Sequence, residues 1–332
     1  MTPSLTAVLV LGASLASWAL LLVVSRVTLL ALRLDPWLFT FIQMMAGGAF
    51  LLVVGGRSGG LVEALRDPGT WIYGVLRVAT AAFFTAALMH TTTANAAFLG
   101  IVSVPISMMV LWLVLSRTPS RRELPGHAVI LVGLALLAQT LGEGWRNPAI
   151  VLMVLSELCV VASTLIGELH PLNLTDDPRQ RAGLTGIMLL ASALFMFLAA
   201  LGLGLLVQWL PSVRTAVSGS LTWMANPALA LDLRLWVSAV LVGILLRGPS
   251  LYLSLKAIHR VRTENYIAAM AALAFLSLAF ELAAATLDLL ELPAALTSTT
   301  LFGAMMVLGS LFVLWARSRS GAGRTDPRIV RG

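Results

Sequence analysis

The chain is 332 residues long, 59% hydrophobic and only 11% charged, with a mean hydropathy of +0.94. Too little polar surface remains to coat a water-soluble globule of this size, which excludes a soluble enzyme or binding module and predicts an all-α, polytopic membrane protein. The net charge of +7 would point to nucleic acid in a soluble chain, but here the basic residues gather in short connections and in the tail, where they report topology and no nucleic-acid partner.

Crossing roughly 30 Å of hydrocarbon takes about 20 helical residues, and ten apolar runs approach or reach that length. They are Leu5 to Val24, Pro36 to Val54, Trp71 to Met89, Ala96 to Leu115, Leu124 to Leu141, Pro148 to Ile166, Leu184 to Val207, Leu235 to Leu255, Tyr266 to Leu287 and Leu296 to Ala316. The first has no basic segment before it and no small-residue cleavage site after it, so it reads as a retained helix. Asp35-Pro36, Asp67-Pro68, Asn147-Pro148, Asp177-Pro178, Pro119, Leu292-Pro293 and the glycines around Gly55 to Gly60 separate the runs. Cys159, the single cysteine, excludes an intrachain disulfide and a cysteine-based metal cluster.

Alternating the runs across a bilayer puts fifteen of the 22 basic residues in the even-numbered connections and the C-terminal tail. The opposite side keeps Arg26, Arg33, Arg146, Arg214 and Arg234. Both termini are therefore expected in the cytoplasm of a cell whose inner (plasma) membrane holds the chain. Most tryptophans fall at predicted helix ends, the place for an amphipathic ring, while Trp18 and Trp112 lie inside. Residues 5–141 and 148–316 then form two units of five helices, and the odd number inverts the second relative to the first. The polar, basic residues 317–332 read as a disordered cytoplasmic tail near anionic headgroups. The long connection after Leu210, with Leu221 and Trp223, is expected along the outer interface.

Two stretches stand out against this background. Sliding the chain by 170 positions pairs Arg77 with Arg247, Thr80 with Ser250, Ala87 with Ala257, Thr93 with Thr263 and Asn95 with Asn265. An internal repeat that carries an ionisable residue at bilayer depth points to the working site of a secondary transporter.

The segment from Thr92 to Gln139, TTANAAFLGIVSVPISMMVLWLVLSRTPSRRELPGHAVILVGLALLAQ, resembles the fourth and fifth helices of the EamA-like transporters of the drug/metabolite transporter superfamily. A small-and-Asn start, an apolar helix with a mid-helix proline, a short basic turn and a Gly-rich helix follow in that order. Tyr252 to Trp315 is similar without the proline, and Ser14, Ser17 and Trp18 resemble the polar and aromatic patch of the family's first helix. The resemblance implies ten helices in two inverted repeats, and transport, with a direction inclined to export. It implies no substrate, and the paired arginines are not part of the family pattern.

On the third helix Tyr73, Arg77, Thr80 and Phe84 share one face, and on the eighth Arg247, Ser250 and Ser254 do the same. A guanidinium flanked by hydroxyls suits a carboxylate or phosphate, because arginine offers planar bidentate donors and the hydroxyls fill the remaining acceptor sites. The alternative is neutralisation by an intramembrane glutamate or, for Arg77, six residues or roughly 9 Å inside Trp71, snorkelling to the headgroups. Arg247, beside Gly248-Pro249 near the middle of its helix, has no such exit. Glu157 and Glu281 are the acidic counterparts: either is a structural or gating salt bridge if it pairs with an arginine, and a proton carrier if it stands free in the cavity. Ser14, Ser17 and Trp18 are candidate wall residues from the first helix. Asn95 and Asn265, supported by Thr93 and Thr263, read as helix caps. Small residues seven apart, Gly126 with Gly133 and Gly303 with Ser310, predict close helix contacts. His90, His127, His170 and His259 are scattered at predicted helix ends, with no metal-ligand spacing and no cofactor motif nearby.

The sequence thus predicts a carrier for a small polar or amphiphilic, acid-bearing metabolite, working by alternating access with a proton as candidate coupling ion. Exchange or uptake of an anionic sugar or organic phosphate is the alternative within transport. A lipid-handling protein whose arginines grip lipid phosphate is the alternative outside it. No residue pattern supports a homodimer.

Overall fold

The computed structural model describes residues 5–56, 60–116, 120–169, 177–210, 212, 226–261, 263–291 and 296–320. Its regular structure among these residues is helical throughout. We number the ten main helices in chain order: α1 Leu5–Leu32, α2 Pro36–Gly55, α3 Pro68–Ala87, α4 in segments Thr93–Leu99, Gly100–Val102 and Ser103–Leu115, and α5 Leu124–Thr140. There follow α6 Pro148–Leu169, α7 Pro178–Gln208, α8 in segments Leu233–Val242, Gly243–Arg247 and Gly248–Val261, α9 in segments Thr263–Ala269, Met270–Ala272 and Leu273–Thr286, and α10 Leu296–Ser320. Among the described residues nine helices are long and apolar enough to cross a membrane, and α5, with 17 residues, is the shorter tenth.

Four of the sequence breakers are helix starts. Asp35 accepts hydrogen bonds from the backbone N–H groups of Trp37 and Leu38, Asp67 from Gly69, Asp177 from Arg179, and Asn147 from Ala149. In each case proline follows, where its missing N–H would have no helical partner anyway. This chemistry moves α3 and α7 to earlier starts than hydropathy predicts. Arg179 and Arg181 consequently lie in the first turn of α7, and Arg26 lies within α1, which continues to Leu32 before Arg33 adopts a positive φ of 52°.

Other expectations are corrected in the same way. Asn95 is interior to its helix, whose cap is Thr92, with its hydroxyl accepting from the Asn95 N–H at 3.1 Å. Thr93 opens that helix, and Asn265 likewise lies inside a helix that starts at Thr263. Arg317 to Ser320 continue α10, so the tail is helical at its root. The remainder of the tail, Leu221, Trp223 and His170 lie outside the described residues, as does the side chain of His259. His127 is buried, not interfacial.

Internal breaks in α4, α8 and α9 shape the interior. Pro105 has no N–H for the Ile101 carbonyl, and the chain tightens into a 3₁₀ turn at Gly100–Val102. A matching turn, Met270–Ala272, forms in α9 without a proline, 170 residues later. In α8, Pro249 has the opposite outcome: the helix widens into a π turn, and the Gly248 N–H reaches back five residues to the Gly243 carbonyl.

Packing follows close backbone approaches. Along the α2–α7 seam a Cβ on Gly48 would lie 2.8 Å from the Gly186 carbonyl, and one on Gly55 only 2.4 Å from the Gly183 nitrogen. The α5–α10 seam uses Gly126 against Gly309 and Gly133 against Met306, as the small-residue spacing predicts for α5. Gly303 instead makes room for Phe98 of α4, and the Ser310 hydroxyl donates to the Ala268 carbonyl of α9. Further packed pairs include α3 with α2, α6 and α7, α1 with α8 and α9, α2 with α8, α4 with α6 and α9, and α10 with α4 and α9. Two large apolar cores and two small clusters result. One large core joins α1, α2, α3, α7 and α8, and the other joins α4, α5, α6, α9 and α10 with the end of α3.

Candidate functional site

A cavity of about 820 Å³, counted to its open mouth, lies where these two cores meet. Trp18, Arg77 and Arg247 face it from the first core, and Gly100, Glu157 and Tyr266 from the second. Its walls are otherwise mainly apolar, with Thr80, Thr85, Ser103 and Thr164 as further polar positions. The small number of convergent polar groups on an otherwise apolar wall fits a site for a small molecule.

Arg247 is 2% exposed and sits at the end of the π turn. Its Nε and Nη2 donate to one acceptor, Oε1 of Gln43 on α2, at 3.0 and 2.6 Å. The Gln43 Nε2 in turn donates to the Ser25 hydroxyl of α1 at 3.1 Å. The Trp18 ring covers the guanidinium, with the carbon at its centre 5.2 Å from the ring centroid, close enough for a cation–π attraction. Arg77 is 7% exposed and is the tenth residue of α3, about 14 Å along the axis from Pro68. That depth, and its position on the cavity wall, set it apart from the headgroup-snorkelling alternative. Its guanidinium lies 5.8 Å from the centroid of the Tyr73 ring, and its Nε is buried with no hydrogen-bond partner among the described residues. The two arginines share the cavity and repel each other, and neither has a carboxylate within ion-pair distance among the described residues.

Glu157 is 6% exposed and lines the same cavity, with Ser103 as its hydrogen-bonding neighbour. Gly100 admits the carboxylate: a Cβ there would stand 3.1 Å from Oε1. Glu281 is elsewhere. Its Oε1 pairs with Nη1 of Arg26 at 2.9 Å and accepts from the Thr93 N–H at 2.6 Å, while Oε2 accepts from the Ala94 N–H at 3.0 Å. It thus joins α1 and α9 to the start of α4, where the helix dipole also favours a negative charge. Neither glutamate is the partner of Arg247.

The serines predicted as anion ligands form a seam between α1 and α8 outside the cavity lining. Ser250 and Ser254 donate to the Leu246 and Ser250 carbonyls of their own helix. Their oxygens also meet Ser17 at 2.6 Å and Ser14 at 3.2 Å, and Ser254 accepts from the Trp18 indole and the Tyr266 hydroxyl. Hydroxyls committed to a helix interface have little capacity left for a ligand. Thr80 lines the cavity, although its hydroxyl donates to the Leu76 carbonyl. Tyr73 packs beneath Arg77 and against Gly167 of α6, and does not line the cavity. Gln43, Ser25, Ser103 and Tyr266 were not singled out by sequence. For Gln43 a signal exists, since it is the one carboxamide in an otherwise apolar helix.

The model of the EamA-like transporter family matches residues 5–139. No curated protein matches the chain. One solved crystal structure is similar over 95% of this chain and 98% of its own, with 17% identity and a TM-score of 0.56, a likeness that shows the fold.

Proposed function

We propose, from the match of residues 5–139 to the EamA-like transporter family of the drug/metabolite transporter superfamily and from the apolar helices of a multi-pass membrane protein, that the whole chain is a secondary carrier for a small, acid-bearing amphiphilic metabolite. Arg247 is the principal anion ligand and Arg77 the second, with Trp18 and Tyr266 as aromatic walls. The observation that carries this reading is the pair of buried guanidiniums on one cavity, both without a carboxylate partner among the described residues. A buried charge of this kind is costly unless something meets it, and an acidic ligand would. Glu157, with no cation paired to it among the described residues, is the candidate proton carrier. The Arg26–Glu281 cluster is the candidate gate at the outer ends of α1, α4 and α9.

The architecture we infer is ten spans in two inverted halves, residues 5–141 and 148–316, with both termini in the cytoplasm. Its support is the packing pattern. If every helix number is advanced by five, α3–α6 becomes α8–α1, α3–α7 becomes α8–α2 and α4–α6 becomes α9–α1, while α2–α7, α5–α10 and α4–α9 map onto themselves; the packing of α2 on α3 has no α7–α8 counterpart of similar extent among the described residues. The matched 3₁₀ turns in α4 and α9 obey the same relation. Alternating access by rocking of related bundles then needs no further element.

Burial also separates this reading from lipid handling, which requires arginines open to the bilayer. In proteoliposomes Arg247→Gln is expected to lower flux of acidic substrates by about 100-fold, the scale of losing a charge-assisted bidentate contact. Undiminished flux would reject the site.

A further inference from the structure

Among the described residues, arginines drawn largely out of water are met in two ways. Arg26 and Arg317 meet carboxylates, Glu281 and Glu123, each at 2.9 Å. Arg247 meets an amide. Gln43, itself 0% exposed, accepts from two nitrogens of the guanidinium through one oxygen, and the amide cannot usefully turn over because its Nε2 donors would then face guanidinium donors. The approach is built into the backbone: a Cβ at Gly243 would fall 2.5 Å from the Gln43 carbonyl oxygen, and one at Gly47 would fall 3.1 Å from Cγ of Arg247. A glutamate at position 43 would fill nearly the same volume, accept the same two hydrogen bonds from Arg247, accept from the Ser25 hydroxyl in place of donating to it, and cancel the charge. The amide satisfies the donors and leaves the charge standing.

The rest of the guanidinium faces the cavity. Nη1 takes no partner among the described residues, and Trp18 closes one face. In the charged lining the guanidiniums of Arg77 and Arg247 outnumber the Glu157 carboxyl, so the site is net positive whether or not Glu157 carries a proton. Around it the lining is apolar, including Leu22, Phe84, Ile101, Val160, Ile267 and Leu273.

We propose that Gln43 is the charge-selecting residue of the cavity: it positions Arg247 through a neutral amide, so that the site takes a ligand whose apolar body ends in one acidic group and discriminates against the neutral isostere. This rests on the anion-carrier reading above and adds to it a residue and a ligand class. Gln43 itself is a positioning residue that acts through Arg247.

The test uses the purified full-length protein with benzoate and its uncharged analogue benzamide as probes, with affinities from calorimetry. The wild type is expected to favour benzoate by about tenfold or more, one well-made charged contact. Gln43→Glu is expected to bring the benzoate-to-benzamide ratio close to one with benzamide affinity retained, whereas a merely structural role would weaken both probes alike. Gln43→Met, which removes the acceptor without adding charge, is expected to lower benzoate affinity several-fold and keep the preference. A Gln43→Glu protein with the wild-type ratio overturns the proposal. Should that variant fail to fold, Ser25→Ala carries the test: benzoate affinity falling with benzamide unchanged supports it, and an equal fall in both, or none, overturns it. The two readings fail separately. A wild type without preference for benzoate sinks the anion site and this inference with it, while a preference lost in Arg247→Gln but kept in Gln43→Glu leaves the anion site standing and removes Gln43 from its role.

Discussion

The cavity and the helix ends treat the same side chain in opposite ways. At the ends, Arg26 and Arg317 are locked to carboxylates that come from other helices or their starts, and Glu281 also closes the first turn of α4. In the cavity, Arg77 and Arg247 have aromatic rings and an amide around them but no counter-charge among the described residues. Charge is settled where the scaffold must hold together and left open where a ligand could settle it.

That contrast can be broken from either side. The largest effect is expected at Glu281→Gln, which strands Arg26 and weakens the α4 cap; losing one partner of a buried pair costs about 3 kcal/mol, read as a lower thermal midpoint of the purified protein. An unchanged midpoint would mean that the end cluster is not structural. Next comes Arg77→Gln, for which anion flux in proteoliposomes should fall by about tenfold, less than for Arg247 because Arg77 has no comparable polar holder. If Arg77 proves the more sensitive of the two, the ranking of the walls reverses. Glu157→Gln should keep downhill flux within about threefold of the wild type while removing its response to an imposed pH gradient, since an amide cannot carry the proton. A full response would take Glu157 out of that role. The smallest effect on transport is expected at Arg317→Gln: its pair with Glu123 is nearly as shielded as that of Arg26, so the thermal midpoint should fall, but it lies away from the cavity and flux should be unchanged.

Much of the scaffold was legible because it depends on residue type at close range. Hydropathy located the helices, and the Asp-Pro and Asn-Pro pairs that read as breakers carry the capping atoms themselves. The cavity was half legible. Arg77, Arg247 and Glu157 stand out as charges in apolar helices, and all three line one space. Which neighbours they meet depends on how helices distant in sequence face each other. Helical spacing put Ser250 and Ser254 beside Arg247, yet the approach of α1 turned their hydroxyls into a seam with Ser14 and Ser17. The same approach of α2 supplied Gln43, 204 positions away, which no local pattern could pair with an arginine. Glu281 shows the converse: its depth left a proton carrier and a salt bridge open, and only the approach of α1 and α4 supplied the arginine and the helix start that it meets.

The wide turn at Gly243–Arg247 also fixes the phase of α8. A π turn accommodates one residue more than an α turn, and one residue corresponds to about 100° of rotation about the axis. Leu233–Val242 and Gly248–Val261 are thus two half-helices set out of step by that extra residue, so that Leu235 and Ala239 can enter one core while Arg247 looks onto the cavity. Deleting a single residue within the turn would bring the halves back into step and turn one of these faces away, however conservative the change in hydropathy. Residue count in this turn is therefore as much a determinant of the site as residue identity.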